Sequence, residues 1–347
     1  MGRITKHSKT SYDIAQENSV RTTSSLELAK KQKRITEQFS KFPFRKQCVC
    51  CGKKLLGAEF SHRGLRFIEC ENCNHIQSKN LPTPNYPEDI SQKSGFDSIY
   101  TDLSSREYAS RTDRIYRPKL EWIFETLIEL GHSKEELINK KWIELGSGAG
   151  NFLSTCKNSE ITDVTGIEVN ENLVSISRKH NPQLKTIQWS SSFEAILKEH
   201  DADIFCSFFV LEHIHDLSPV WKEFSRKPRG TIFAFSVPVF GLSGIAENIF
   251  PEHFARNLDG VVHTQVFTDT SIEYAMQEAN YQILGEWIFG QDTSDLIRFL
   301  QNCSKSSPST KTEKKLFQQL SKAHDTIQSA FDQNHLSDQR HILAIRT

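Results

Sequence analysis

The run Trp142-Ile143-Glu144-Leu145-Gly146-Ser147-Gly148-Ala149-Gly150-Asn151-Phe152 constrains the fold more than any other stretch of the chain. Its first four residues read as a short buried strand, its glycines as a tight turn, and Asn151 onward as the start of a helix. Strand, glycine turn and helix together make a nucleotide-sized cradle. Glycine has no Cβ to block a sharp turn or the close approach of a ligand to the backbone.

Beyond the turn, strand and helix patterns alternate. Strand patterns are expected at 141–145, 163–169, 185–189, 203–208 and 231–237. Helical patterns are expected at 151–157, 172–180, 192–200, 218–224 and 271–279. This alternation predicts an α/β fold with a doubly wound, mainly parallel sheet. Two late strand-like runs, 281–289 and 341–346, bring the expected sheet to seven strands. A polar, helical-looking insertion at about 292–336 lies between them. Ahead of the first strand, Ile115, Leu120, Ile123, Phe124, Leu127 and Ile128 recur at helical spacing, and Gly131 supplies a stop.

Five of the eight cysteines fall between Cys48 and Cys73. Cys48-Val49-Cys50-Cys51 and Cys70-Glu71-Asn72-Cys73 form two C-x-x-C knuckles with eighteen residues between them. Such clustering points to a local metal site and not to a disulfide framework. Cys48, Cys51, Cys70 and Cys73 are the expected ligands of a zinc ribbon, with Cys50 spare and His75 an alternative. Four thiolates close the coordination shell, so the expected zinc is structural. The expected organisation is a polar, partly disordered or helical segment at 1–40, the ribbon at 41–80, a linker at 81–103 holding Pro82, Pro84 and Pro87, and the main domain at 104–347. A Ser/Thr/Lys-rich loop is expected at 304–312.

Charge excludes some functions. Lys+Arg and Asp+Glu number 43 each, so no global field favours nucleic acid or a membrane surface. The basic cluster Lys30, Lys31, Lys33 and Arg34 reads as a solvated helix face. No apolar run is long enough to span a bilayer. The first residues lack a secretory core, and Lys6 stands where myristoylation wants Ser or Thr. The expectation is a cytoplasmic protein.

Three ligands compete for the glycine turn. A P-loop needs Gly-Lys-Ser/Thr, and a nicotinamide or flavin site needs G-x-G-x-x-G. This chain has Gly-Asn-Phe and a G-x-G-x-G spacing. The remaining reading is S-adenosylmethionine, with Glu144 beside its cationic methionine end. Glu168, at the end of the second expected strand, is placed to accept hydrogen bonds from both ribose hydroxyls.

With Glu144 to Phe152, the strand ending Gly166-Ile167-Glu168-Val169-Asn170, and Val210-Leu211-Glu212-His213-Ile214-His215-Asp216 after the fourth strand, residues 140 to 289 resemble a class I S-adenosylmethionine-dependent methyltransferase. The resemblance implies a Rossmann-like fold and cofactor contacts from Glu144, Gly146, Ser147, Gly148, Asn151, Phe152, Glu168, Val169 and Phe209. Where the family often has an acidic or amide residue at the adenine, this chain has Ser190-Ser191-Ser192, and Ser191 or Ser192 is expected there, with Ser191 taken first. With its ribbon, the chain resembles bacterial sugar and surface-polysaccharide methyltransferases, whose N-terminal module helps shape or cover the substrate site.

The expected acceptor is therefore a small polar molecule such as a nucleotide-linked sugar or a surface-glycan unit. The rivals are an RNA methyltransferase with a zinc ribbon and a non-catalytic cofactor-binding module. An Asn/Asp-Pro-Pro-Tyr/Phe motif would mark methylation of nucleobase or amide nitrogens, and Phe208-Phe209-Val210-Leu211 stands in its place. A hydroxyl or carbon acceptor needs a base, and histidine titrates in the right range. His213, His253 and His263 are the candidates, with His215 expected at the surface. Tyr108, Arg111 and Tyr116, on the helix before the first strand, are expected to close over the cofactor.

Overall fold

The computed structural model describes residues 2–9, 33, 36–81, 103–260, 262–304 and 310–347. Most of the 1–40 segment, most of the 81–103 linker, three of the four basic-cluster residues and most of the 304–312 loop lie outside the described residues.

Twelve strands are present among them. They are β1 (Ile4–His7), β2 (Gly57–His62), β3 (Leu65–Cys70), β4 (Ile76–Ser78), β5 (Trp142–Leu145), β6 (Val164–Glu168), β7 (Lys185–Gln188), β8 (Ile204–Phe208), β9 (Ile232–Pro238), β10 (Gln265–Val266), β11 (Tyr281–Ile288) and β12 (Gln339–Arg346). The larger sheet has the order β1-β11-β12-β9-β8-β5-β6-β7. Strands β5 to β9 pair in parallel, and β12 runs antiparallel between β9 and β11. Every residue of β5, β8 and β9 is buried, as expected for parallel strands covered on both faces.

Alternate residues feed two cores. Trp142, Phe208 and Trp287 meet Trp122 and Leu127 of the helix Arg117–Glu129. Ile143, Leu145, Phe205 and Phe233 meet Trp221, Phe224 and Met276 on the other face. Cys48, Cys50, Cys70 and Cys73 pack into that second core, so the cysteine region is part of it.

The sheet corrects the expected count of seven, because Ile4–His7 adds an eighth strand in parallel with β11. It also places residues 4–7 in the main domain and not in a polar tail. A four-residue edge strand carries one ladder and no apolar run, so its sequence has little to distinguish it from a tail. Trp287 pins its end by donating its indole N–H to the Ser8 carbonyl at 3.0 Å.

The expected helix before β5 is interrupted. Ser105–Arg111 is α-helical, Thr112–Tyr116 forms a π turn, and the α-helix resumes at Arg117. Pro118 explains the widening, because its ring would clash with the carbonyl four residues back in a regular helix. A helix absent from the sequence reading, Leu242–Ile249, follows β9.

The second sheet has the order β10-β4-β3-β2. Strands β2, β3 and β4 come from the cysteine region, and β10 comes from the segment after Leu242–Ile249. No helix among the described residues is long and apolar enough to cross a membrane.

Candidate active site

At the end of β5 the chain reverses into the glycine turn. Gly146 has φ 72°, and a Cβ there would stand 2.4 Å from Val210 Cγ2. Gly150 has φ 79° and precedes the helix Asn151–Asn158; a Cβ there would meet Ser177 Oγ at 2.3 Å. Both positions therefore require glycine, by conformation and by contact. The amides of Gly146 and Ser147 both reach the Ile167 carbonyl on β6, at 2.8 and 3.0 Å.

Glu168 ties the two strand tips together. Its carboxylate accepts the Gly148 amide at 2.8 Å, and the Val169 and Asn170 amides at 2.8 and 2.9 Å. Val169 beside it is 63% exposed, an apolar side chain in solvent at the rim. Ser191 is exposed just beyond β7.

Glu144 lies under the turn, almost fully buried. Its Oε2 has no hydrogen-bond partner. Burial drives its carboxyl well above the usual carboxylate range, partly opposed by the charge of Lys119. A buried carboxylate with an unmatched oxygen favours a cationic ligand, and this is the property that the methionine end of S-adenosylmethionine meets. The Ser147 hydroxyl, also buried, has no partner either. The residues present thus fit the cofactor that the glycine spacing suggests.

Two expected cofactor contacts point elsewhere. Phe152 is buried among Trp142 and Phe208, its ring centroid 5.0 Å from that of Phe208. It is a core residue. Asn151 donates to Thr112 Oγ1 at 3.0 Å and to the Tyr108 carbonyl at 3.3 Å. It holds the preceding helix against the turn. Tyr108 completes the brace, with its hydroxyl donating to the Ala149 carbonyl at 3.1 Å. Tyr116 is half-buried, with the Lys119 ammonium 5.1 Å from its ring centroid.

The exit of β8 carries the second half of the site. Phe209 has φ 57°, unusual for a bulky residue and frequent at functional turns. The buried Lys119 ammonium lies 4.7 and 4.9 Å from the ring centroids of Phe208 and Phe209. A lysine inside the apolar stripe of its helix was the available sequence signal, and it went unread. After Phe209 comes a 3-10 turn, Leu211–His213. Glu212 is buried, its Oε2 has no hydrogen-bond partner, and burial pushes its carboxyl up to about 7.

His213 and His263 come together, with ring centroids 4.9 Å apart. His213 Nδ1 lies 2.9 Å from the Val262 carbonyl. A carbonyl only accepts, so Nδ1 carries a hydrogen, and in the neutral ring Nε2 is the nitrogen that keeps a lone pair. Asp259 accepts the Val262 and His263 amides at 2.7 and 3.1 Å and so shapes this segment. His253 is exposed on the turn after Leu242–Ile249 and is not among the side chains brought together. His215 is half-buried, with its titration lowered to about 4 chiefly by burial, where a surface position was expected.

The four expected ribbon cysteines converge. Cys48 and Cys73 Sγ are 3.6 Å apart, Cys51 and Cys70 Sγ are 3.8 Å apart, and all four lie within 4.8 Å of one another. Four sulfurs about 2.3 Å from one zinc in a tetrahedron are about 3.8 Å apart, so the cage has the right size. Gln77 donates to Cys48 Sγ at 3.2 Å, the kind of outer contact that orients a metal ligand.

The cysteine region also braces the site. The Val49 carbonyl accepts the Leu217 and Ser218 amides at 2.8 and 3.1 Å, and Arg45 donates to the His215 carbonyl at 3.1 Å. Gln265 on β10 accepts from His75 Nε2 at 2.7 Å and donates to the Leu211 and Ile214 carbonyls at 2.9 and 2.6 Å. Those two carbonyls flank Glu212 and His213. At the β2–β3 hairpin tip, Arg63 donates to the carbonyls of Pro251 and Phe254 and pairs with Glu247 at 3.4 Å. The Glu247 carboxylate in turn accepts the amides of Arg256, Asn257 and Leu258. On its other side, Arg256 pairs with Asp338 at 2.8 Å.

A mainly parallel sheet with this strand order, a glycine turn over a buried acid and a second acid at the next strand tip define a Rossmann-like methyltransferase. Residues 108–286, more than half of the chain, match the family model described as methyltransferase domain, and the chain belongs to that family. It is an S-adenosylmethionine-dependent methyltransferase. Among solved structures it is similar to magnesium protoporphyrin IX methyltransferase from Synechocystis PCC 6803. That match has 13% identity and a TM-score of 0.45, covering 75% of this chain and 97% of the other. It is also similar to geranyl diphosphate C-methyltransferase from Streptomyces coelicolor A3(2), at 12% identity and TM-score 0.42, covering 77% and 100%. A search of curated protein sequences finds no match.

Proposed function

We propose that this methyltransferase acts on a small polar acceptor, a nucleotide-linked sugar or a surface-glycan unit, held between the cofactor cradle and the segment 250–264. The observation that carries this reading is the pairing of two polar centres along the sheet edge. One is the unmatched buried Glu144 under the glycine turn, and the other is the Glu212, His213 and His263 group at the exit of β8.

Bound in the cradle, S-adenosylmethionine supplies an electrophilic methyl group. Glu144 receives its cationic end, and the amides around Ser147 and Gly148 lie beside it. Glu168 holds the turn in shape and faces the ribose, with Val169, Ser191 and Phe209 as neighbours of the nucleoside. The protein aligns the acceptor, excludes water and provides for loss of the acceptor's proton. We assign that last task to the Glu212, His213 and His263 group and leave His253 out of it.

The small-acceptor reading is supported by segment 250–264. It contributes His263 to the group and is tied down by Arg63 on one side and Asp338 on the other. A tethered cover suits a compact acceptor better than a long polymer, and the balanced charge gives RNA no broad attraction. We assign a structural zinc to Cys48, Cys51, Cys70 and Cys73, supported by the sulfur spacing.

The test is a transfer assay with methyl-labelled cofactor against sugar nucleotides, glycan fragments and RNA side by side. Label entering a sugar nucleotide or glycan is the expected result. Label entering RNA alone, with steep salt dependence, would overturn the acceptor assignment.

A further inference from the structure

Glu212, His213 and His263 each offer one ligand atom, and these atoms lie within 4.8 Å of one another. We propose that they form a second metal site, distinct from the cysteine cage, which takes a divalent cation on the acceptor side of the cradle. This rests on reading that side as the acceptor site.

The donor set comes first. Two imidazoles and one carboxylate are the side chains that hold first-row divalent ions while leaving positions open for an oxygen ligand. Spacing comes second. Two atoms each about 2.1 Å from one ion stand roughly 3.0 to 4.2 Å apart, according to the angle between them. His213 Nε2 and Glu212 Oε1 are 3.9 Å apart, inside that window. The full set closes on an ion with side-chain shifts of about 1 Å or less.

Orientation comes third. A metal-binding imidazole is usually fixed by a hydrogen bond at its other nitrogen. The His213 Nδ1 contact to the Val262 carbonyl does this and leaves Nε2 as the donor. His263 Nδ1 lies 3.8 Å from Asp259 Oδ2, beyond hydrogen-bond length, so that carboxylate is a charged neighbour of the second ring and not its tether.

Burial comes fourth. The Glu212 side chain is 2% exposed, whereas His213 and His263 are 36% and 24% exposed. Core packing alone would leave no reason for a carboxylate at this position with one oxygen unmatched. One deep carboxylate and two partly open imidazoles describe a site closed behind and accessible in front. The cysteine cage is its opposite, four soft and mostly buried sulfurs. The two sites therefore select different ions. The open positions suit the neighbouring oxygens of a diol or hydroxy-carbonyl acceptor, which would be held as a chelate.

Manganese(II) is the probe, because it favours N/O donors over the thiolate cage. Full-length protein, with its cage zinc quantified, is titrated with Mn2+, and the free ion is followed by electron paramagnetic resonance. One Mn2+ per chain is expected in excess of the cage metal. His213→Ala, His263→Gln and Glu212→Gln should each weaken it by at least the about 10- to 100-fold that loss of a supporting partner alone costs. Glu212→Gln keeps the side chain's shape, and its melting temperature and cofactor affinity report whether the fold is intact.

No Mn2+ binding by folded wild-type protein, or binding unchanged in all three variants, would overturn the proposal. Methyl transfer unaffected by removal of this ion, with the cage zinc retained, would also overturn it and leave the enzyme reading standing. Site-specific Mn2+ binding without transfer to any small acceptor would support the cation site and sink the acceptor reading.

Discussion

Gln265 is the side chain through which the ribbon reaches the turn bearing Glu212 and His213, and replacing it with leucine separates packing from hydrogen bonding. The residue is fully buried, and leucine has a similar size. Three partners lose their bond: His75 Nε2 and the carbonyls of Leu211 and Ile214. Burial holds His75 neutral, with its titration lowered to about 4, so its Nε2–H is left as an unmatched donor and not as a cation that water could reach. Each unmatched buried group costs about 1–3 kcal/mol, and neighbouring losses do not add fully. The expected total is roughly 3–5 kcal/mol. In a domain of this size that lowers the melting temperature by roughly 6–15 °C. Scanning calorimetry measures the loss. Hydrogen exchange over residues 211–218 should show faster exchange at temperatures where the rest of the sheet stays protected. Turnover should fall more than cofactor affinity, because the cradle lies on other strand tips. A melting shift of 1–2 °C with unchanged exchange and turnover would refute the claim that Gln265 carries the brace.

Three further outcomes are expected. Glu168→Ala removes the acceptor of three backbone amides, so calorimetric titration should show S-adenosylmethionine binding weakened about tenfold or more, and equal affinity would refute the assignment. Burial raises Glu144, so its ionised form becomes more populated as pH increases; affinity for the cationic cofactor should rise with pH more than affinity for the neutral-sulfur product, and Glu144→Gln should flatten that difference in parallel titrations. Metal analysis of the purified protein should find zinc at one ion per chain, and Cys48→Ser should lose it together with several degrees of thermal stability; a zinc-free protein with wild-type melting would remove the cage.

Legibility of the fold in the sequence followed burial. Strands β5, β8 and β9 are covered on both faces, so their apolar runs announce them. Strands β1 and β10 have four and two residues, and each is defined by a partner remote in sequence, which no local pattern records. In the site, Gly146, Gly148 and Gly150 were readable because their positive φ admits few other residues. Asn151 and Phe152 were misread because the first turn of a helix shows one side to the cradle and another to the core, and composition does not say which. His253 and His263 sit in one loop, and only its folded path, set by Glu247 and Asp259, separates the exposed ring from the clustered one. The setting of Lys119 is hidden in the sequence because lysine is ordinarily solvated, and Phe208 and Phe209, which surround it with the local Tyr116, come from a remote strand end.

The fourth strand of the ribbon sheet comes from residues 265–266, far downstream of the cysteines. During synthesis the cysteine hairpins emerge before every strand of the large sheet except β1, and the outer edge of Ile76–Ser78 stays unpaired until residues 265–266 have been made. Closing that long loop is slow in entropic terms, so the second sheet is completed late in folding although three of its four strands come early in the sequence. A metal bound early would hold the hairpins together during the wait. By the same topology the ribbon is a poor candidate for transplantation, because cutting it out removes one of its own strands.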